Sequence, residues 1–393
     1  MKTQSRNIEI DNLRAIAIIG TLFAHIGGMF LTMPHFLNSI FKYITGVEGV
    51  ILFFAISGYV ISASFIPKLD SKNFLYDQIK IIHAFFVRRF FRIIIPTSFW
   101  VVVMILLVSF GLQWGIIETI FSGIATLFGI ENLYILITHP IHNRFFIYWS
   151  LSLEMQFYCL LPFFLALLKN KWGRLFGLGL FIILLQFLPG NLHGQLRGEC
   201  LIMGVMVYLL FHDFKWLDNI HSYFKKKRLI LKLIGFSLII FLFTCYGALW
   251  SVTNALPFPF IYGIKLNFFW TLLVAIAALK LDIIIFPSYI KLAMNWLGSR
   301  SFTLYLAHYP MMYLTHIIAI KLTKNHIYAF NHPLAITVFW LTSLAVAVEI
   351  SYKMIEMPMT ALGRKLAKQI ENKSAVSNRS KIDQAEKLTV DYI

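Results

Sequence analysis

An arginine and a histidine near the start of the chain, Arg14 and His25 in DNLRAIAIIGTLFAH, are the residues best suited to chemistry. In a helix the eleven positions between them cover about 16 Å and three turns, so both side chains lie on nearly the same face. A neutral imidazole can remove a proton from a hydroxyl group, and a guanidinium can bind phosphate. Alternatively, Arg14 reaches the lipid headgroups and His25 bonds a neighbouring helix. The pairing favours the chemical interpretation.

A second cluster of cations opens an apolar stretch at VRRFFRIIIP, which contains Arg88, Arg89 and Arg92. Residues three or four apart share a helix face, so two or three guanidiniums project from one helix end. They are suited to bidentate binding of anionic oxygens such as the phosphates of coenzyme A. The cluster fits an ordinary anchor at the inner membrane surface equally well.

Further polar residues recur at helical spacing in otherwise apolar sequence. Ser150, Glu154 and Tyr158 share one face, and a carboxylate there can orient or protonate a histidine, bind a sugar hydroxyl or bond another helix. Two more sets are candidates for an acceptor site or for structural contacts: Arg197 with Glu199, and Ser301 with Tyr305 and His308. We rank His308 below His25 as a base, because Tyr309-Pro310 follows it and indicates a helix bend.

Motifs of soluble catalysis and of metal binding are missing from the sequence. It has no GxSxG elbow, P-loop, GxGxxG dinucleotide motif or HExxH, and its three cysteines form no metal-ligand spacing. We therefore predict no metal site and no permanently bound cofactor.

The elements that position these residues are apolar segments. Hydrophobic residues make up 59% of the chain and charged residues 13%, and several segments approach the roughly 20 apolar residues that cross a bilayer. The sequence predicts an all-α, polytopic membrane protein with ten transmembrane helices, at 13–33, 44–66, 84–110, 145–168, 174–189, 196–212, 229–250, 263–286, 300–320 and 333–356.

Charge predicts the orientation of these helices. With ten spans and cytoplasmic termini, only six of the 35 basic residues face outward, namely Lys42, Arg144, Arg197, Lys265, Lys321 and Lys324. Counting Gly115 to Thr138 as an eleventh span would place the basic run at 225–228 outside, so 112–144 is predicted to be extracytoplasmic, and partly re-entrant or interfacial. The net charge of +17 thus reflects membrane topology, and no nucleic-acid partner is expected.

Two regions are predicted along the chain. Residues 1–366 form one membrane domain without an internal repeat, and 367–393 form a polar cytoplasmic tail whose composition is typical of disorder.

In these motifs the sequence resembles the membrane acyltransferase 3 family, which modifies bacterial surface polysaccharides. The resemblance covers about residues 7–366 and rests on an ordered set: IDNLRAIAIIGTLFAH, GVEGVILFFAISGYVIS, VRRFFRIIIP, YWSLSLEMQFYCLLP, LRGECLIMGVMVY, LGSRSFTLYLAHYP and MIEMPMTALGRKL. It implies ten spans in the bacterial cytoplasmic (inner) membrane. It also implies acyl-CoA, acetyl-CoA above all, as co-substrate.

The resemblance implies roles for the residues named above. His25, assisted by Glu154, would catalyse transfer to a hydroxyl of an extracytoplasmic glycan, lipid-linked or free, such as a lipopolysaccharide O-antigen, exopolysaccharide or capsule. Arg14, Arg89 and Arg92 would bind the donor or have a structural role, and Arg88, from the same cluster, is a further candidate for donor binding. The expected acceptor site comprises Glu48, Ser57, Tyr158, Arg197, Glu199, Tyr305 and His308. Apart from these substrates, membrane lipids are the expected partners.

The rival interpretation is a transporter or glycan-export protein without covalent chemistry, in which buried histidine and arginine carry protons or substrate. The missing internal repeat counts against it. Release of coenzyme A that depends on a glycan acceptor distinguishes the two functions.

Overall fold

The described part of the chain is entirely helical. A computed structural model describes residues 7–26, 47–72, 74–111, 115–140, 143–212, 228–253, 259–324 and 333–372, and no strand occurs among them. The α-helices are α1 (Ile8–Ile26), α2 (Val47–Asp70), α3 (Leu75–Arg89), α4 (Ile95–Gly111), α5 (Ile116–Leu127), α6 (Glu131–Thr138), α7 (Trp149–Leu167), α8 (Lys171–Leu185), α9 (Gly190–Leu196), α10 (Glu199–Phe211), α11 (Arg228–Thr253), α12 (Pro259–Ala278), α13 (Ser288–Ser299), α14 (Ser301–Lys324), α15 (Pro333–Ser351) and α16 (357–372).

Several helices have the length and composition of membrane spans. Five stretches of the described residues qualify: Val47–Asp70, Leu75–Gly111, Phe146–Leu167, Gly194–Phe211 and Leu334–Asn372. Each of the ten predicted segments overlaps a helix, although 27–33 of the first and 44–46 of the second lie outside the described residues. The chain is therefore a multi-pass, all-α membrane protein.

The stretch from Gly115 to Thr138 divides into two short helices. Gly129, at φ +68°, separates α5 from α6, and glycine adopts this left-handed backbone without steric cost. At about 1.5 Å per residue neither helix approaches the roughly 30 Å of a hydrocarbon core. This division fits the prediction that the stretch is not a transmembrane span.

Helices α1, α2 and α10 pack closely because glycines lie at their contacts. A methyl group at Gly58 would overlap the Leu201 carbonyl oxygen, and one at Gly204 would overlap that of Ala55. A methyl group at Gly49 would likewise overlap the carbonyl oxygen of Ala17. Small residues allow helix backbones to approach closely in lipid, where no hydrophobic effect drives helices together.

Helices α3 and α4 form one continuous rod with a single π turn at Phe90–Ile94. Pro96, the second residue of α4, has no amide hydrogen, so a carbonyl about one turn earlier loses its helical partner. The π turn therefore falls where regular α-helical bonding is interrupted, and it contains Arg92.

The last helix extends further than predicted. A second π turn, Tyr352–Glu356, leads into α16, which continues to Asn372 and so includes the first six residues of the predicted tail. Those residues are ordered because Glu371 accepts hydrogen bonds from Lys68 at 2.9 Å and from Arg88 at 2.6 Å. The rest of the predicted tail, 373–393, lies outside the described residues.

Candidate active site

One cavity collects many of the residues that the sequence singles out. It encloses about 800 Å³, counting its open mouth, and lies between α1, α2, the α3–α4 rod, α7 and α14. Its polar lining consists of Arg14, Ser57, Arg89, Arg92, Ser150, Glu154, Tyr158, Ser301 and Tyr305. Five helices that are distant in the chain thus converge on one site.

Three arginines supply the positive charge of the cavity. Arg14 pairs with Asp11 at 2.9 Å, whereas the Arg89 guanidinium packs over the Tyr158 ring, 5.0 Å from its centroid. The Arg89 Nε is buried without a hydrogen-bond partner, and no carboxylate of the described residues forms an ion pair with Arg89 or Arg92. Partly buried guanidiniums that form no direct ion pair, as at Arg89 and Arg92, favour an anionic ligand.

Arg88 points away from this cavity. Its guanidinium pairs with Glu371, which also accepts two hydrogen bonds from Lys68, and Arg88 is not part of the cavity lining. Adjacent residues on a helix differ in direction by about 100°, which separates Arg88 from Arg89. The structure therefore brings together three of the four arginines that the sequence groups.

The acidic side of the cavity is provided by α7. Tyr158 donates a hydrogen bond to Glu154, four residues earlier on the same helix face. Tyr305 of α14 donates its hydroxyl proton to the Ile147 carbonyl, so Ser150 is the donor in the 2.7 Å bond between Ser150 and Tyr305. These bonds hold the carboxylate and both tyrosines in fixed positions.

His25 and His308 contact each other next to Tyr305, and neither belongs to the cavity lining. The rings of His25 and His308 meet edge to face, with centroids 5.0 Å apart, and His308 lies 5.6 Å from the Tyr305 ring. His25 Nδ1 lies 2.8 Å from the Thr21 carbonyl oxygen and His308 Nδ1 lies 2.6 Å from that of Tyr305. A carbonyl can only accept, so both Nδ1 atoms carry hydrogen and both Nε2 atoms carry a lone pair.

This arrangement suits proton removal from a hydroxyl group. The Nε2 of His308 is buried and has no hydrogen-bond partner, and His25 is only partly buried. Of the two imidazoles, His25 is therefore the more accessible base. Arg14 lies about 16 Å from His25 along α1, as the spacing of the two residues requires.

Besides His308, three predicted acceptor residues lie outside the cavity lining. Arg197 packs over the Trp149 ring at 4.7 Å, and Glu199 is buried and accepts a hydrogen bond from Gln186. Glu48 is fully buried at the start of α2. The structure does not bring these three residues together with the arginines and Tyr305. Within the described ranges, no group of three His, Cys, Asp or Glu side chains is arranged for a metal ion.

A buried polar cluster around Glu131 was missed at the sequence level. Glu131 is fully buried, and its carboxylate accepts hydrogen bonds from Ser122 at 2.6 Å and Asn143 at 2.7 Å. Its backbone amide donates to Ser152 of α7. The acidic and amide residues in this apolar stretch indicated a buried polar contact. The partners could not be predicted, because they come from three separate segments of the chain. The cluster fixes the segment that contains α5 and α6 against the helix that carries Glu154.

Stability is expected to fall with rising pH because of Glu131. Burial, only partly offset by the bonds from Ser122 and Asn143, raises the pKa of this carboxyl from 4.5 to about 7. Between pH 4.5 and about pH 7 the folded protein holds a proton on Glu131 that the unfolded chain has lost. The contribution of this protonated carboxyl to the free energy of unfolding is therefore complete below pH 4.5 and is lost as the pH rises past about 7. The thermal unfolding midpoint in detergent should therefore fall between about pH 5.5 and pH 8.

Glu131→Gln should remove that part of the pH dependence, because the amide does not titrate. Glu118→Gln, the same change on α5, is the matched control and should keep the wild-type profile. An undiminished fall of the midpoint in Glu131→Gln would show that another group is responsible.

Comparison with known proteins identifies the family of this chain. A family model described as an acyltransferase domain matches residues 7–352. The O-acetyltransferase OatA of Staphylococcus aureus is 25% identical over 381 residues, which cover 91% of this chain and 57% of that protein. The peptidoglycan O-acetyltransferase OatA of Listeria monocytogenes is 25% identical over 391 residues, covering 90% and 56%. No solved structure matches the chain.

The matches cover most of this chain but only part of each relative. The family match includes every helix that lines the cavity, from α1 to α14, whereas the chain spans less than three fifths of the curated relatives. The match therefore concerns the membrane domain. This chain belongs to the acyltransferase 3 family of membrane proteins.

Proposed function

We propose that this protein transfers an acyl group, acetyl in the first instance, from cytoplasmic acyl-CoA to a hydroxyl of an extracytoplasmic glycan. The observation that carries the proposal is the cavity in which Arg14, Arg89 and Arg92 face the Glu154–Tyr158 pair, beside the two histidines. The proposed location is the bacterial cytoplasmic (inner) membrane, with ten spans and both termini in the cytoplasm. The positive-inside distribution of Lys and Arg supports this orientation.

The glycan acceptor belongs to the cell envelope. The name of the Listeria relative adds peptidoglycan to the O-antigen, exopolysaccharide and capsule expected from the sequence. All of these glycans carry primary or secondary hydroxyl groups, so the same acyl transfer reaction applies to each of them.

The donor binds by its phosphates. Guanidiniums form charge-assisted, often bidentate hydrogen bonds with phosphate oxygens, and the unpaired Nε of Arg89 is available for one of them. The apolar part of the cavity wall, with Phe53, Phe54 and Phe302, receives the uncharged pantetheine arm. The thioester then points away from the arginines and towards the histidines.

The chemical step is general base catalysis. His25 Nε2 removes the proton of the acceptor hydroxyl while that oxygen attacks the thioester carbonyl. The carbon–sulfur bond breaks, the ester forms and the coenzyme A thiolate leaves, taking up the proton from His25. Positioning the two substrates together supplies much of the rate acceleration. Glu154, which accepts a hydrogen bond from Tyr158, is the polar group that assists His25 in this proposal.

A two-step route through an acyl-enzyme uses the same residues. His25 would accept the acyl group from the thioester, release coenzyme A and pass the acyl group to the glycan. Incubation with radiolabelled acetyl-CoA in the absence of acceptor separates the routes, because only the two-step route leaves label on the protein.

Acceptor-dependent release of coenzyme A tests the proposal. The purified protein in proteoliposomes is given acetyl-CoA with or without a peptidoglycan fragment, O-antigen or capsule oligosaccharide, and free thiol is measured together with the mass of the glycan. We expect a 42 Da gain on one glycan for each thiol released. A transporter would move glycan across the membrane without thiol release, and that result would overturn the assignment.

A further inference from the structure

Arg144 is a second cationic centre, outside the cavity described above. It lies on the segment between α6 and the 3-10 turn Phe146–Tyr148, and its guanidinium is 5.1 Å from the centroid of the Tyr313 ring. Its Nε is buried without a hydrogen-bond partner, and no ion pair joins Arg144 to a carboxylate of the described residues. A partly buried charge without a counter-ion is costly, and a cation–π contact offsets only part of that cost. An anionic ligand would complete the site.

Aromatic residues form the wall beside Arg144. Tyr309 and Tyr313 are four residues apart on α14 and therefore share a face, and Phe146 packs edge-on against Tyr309 with ring centroids 5.3 Å apart. Tyr313 is 7% exposed and its hydroxyl has no hydrogen-bond partner. A tyrosine combines an apolar ring with a polar hydroxyl, which suits a sugar with its apolar C–H faces and polar substituents.

The segment that carries Arg144 is fixed on both sides. The Asn143 side chain accepts a hydrogen bond from the Phe145 amide at 2.7 Å and donates one to Glu131 at 2.7 Å. Phe145 is fully buried. The backbone that carries Arg144 is thus held in place before any ligand arrives, and the Tyr313 ring packs against the guanidinium, which lowers the entropic cost of binding.

The position of this site relative to the histidines matches that of an acceptor. Tyr309 directly follows His308, and Tyr313 lies about 7.5 Å beyond His308 along α14. Ser301 and Tyr305, which line the arginine cavity, precede His308 on the same helix. The Arg144 centre and the donor arginines therefore lie on opposite sides of the histidine pair along α14.

We infer that Arg144, with the Tyr313 hydroxyl and the Tyr309 ring, forms an acceptor subsite that binds an anionic group, carboxylate or phosphate, on the glycan. The inference rests on the proposed acyl transfer to a glycan and names a chemical feature of the acceptor that this transfer requires. The guanidinium binds the anion, and the aromatic wall orients the adjacent sugar so that its hydroxyl faces His25.

Three acceptors that differ in one group test the subsite. The first is a tetrasaccharide of N-acetylglucosamine and N-acetylmuramic acid, the second is the same compound with its carboxyls reduced to alcohols, and the third is the reduced compound with a 1-phosphate. For the wild-type protein we expect a KM at least about tenfold lower for an anionic acceptor than for the neutral one. A preference for the first identifies a sugar carboxylate as the anion, and a preference for the third identifies a phosphate.

Arg144→Gln should abolish that preference by raising the KM for the anionic acceptor, with kcat and the KM for acetyl-CoA unchanged. Lys321→Gln, an exposed position on α14 with the same loss of charge, is the matched control and should behave as wild type. Equal KM values for all three acceptors in the wild-type protein would overturn the subsite alone. If the wild-type protein acylates none of them and releases no coenzyme A, the proposed function fails and the subsite with it.

Discussion

Replacing His25 with alanine is expected to reduce acyl transfer by about 10²-fold or more, because a positioned general base contributes on the order of 10²–10⁴ to a rate. The imidazole is held by its Nδ1 bond to the Thr21 carbonyl, which directs a basic Nε2 away from α1. Alanine is a strong helix former, so α1 and its packing against α2 should be retained. The measurement is thiol release in the presence of a glycan acceptor at saturating acetyl-CoA.

A control separates loss of chemistry from loss of fold. His83→Ala removes an exposed imidazole on α3, distant in sequence from the histidine pair, and should leave transfer unchanged. His25→Ala should elute as the wild-type protein does on size exclusion and bind acetyl-CoA with the same affinity. Transfer at the wild-type rate by a well-folded His25→Ala protein would exclude His25 as the base and as the acyl carrier.

The second large effect is expected at Arg89. Arg89→Gln should raise the KM for acetyl-CoA by about tenfold to 100-fold, which is the effect of losing a charge-assisted hydrogen bond to phosphate. We expect this effect because Arg89 faces the cavity and forms no ion pair with a carboxylate of the described residues. The KM is measured by thiol release at saturating glycan.

Arg88→Gln is the matched control for Arg89→Gln, one residue away with the same loss of charge. Arg88 pairs with Glu371 on α16 and does not line the cavity, so its KM for acetyl-CoA should stay near the wild-type value. Acetyl-pantetheine, which lacks the nucleotide phosphates, provides a second control, because Arg89→Gln should use this donor as well as the wild-type protein does. An Arg89 defect of equal size with both donors would indicate a role in packing against Tyr158 and not in phosphate binding.

Part of this site, and most of the helices, can be predicted from the sequence alone. The alignment of Arg14 with His25, and of Glu154 with Tyr158, follows from the period of one α-helix and can be predicted from spacing alone. The apolar segments likewise coincide with helices, since a backbone in lipid must satisfy its own hydrogen bonds. Local rules were sufficient for these features.

Residue spacing alone could not assign different roles to Arg88 and Arg89. Their different roles depend on Glu371, which is 283 positions from Arg88 along the chain and lies in the last turns of α16, within the predicted polar tail. The Glu131 cluster was missed for a similar reason. Its partners come from three segments, and only the packing of these segments buries the carboxylate of Glu131.

The sequence by itself determined that this chain is helical and membrane-spanning, and it supplied an arginine and a histidine on one face of α1. Only the tertiary structure decided that His25 meets His308, which lies 283 residues further along, and that both imidazoles direct their lone pairs away from their own helix carbonyls. Helix periodicity is a property of neighbouring residues and can be read locally. The pairing of side chains across helices depends on which backbones approach closely, and here glycines such as Gly49, Gly58 and Gly204 allow that approach.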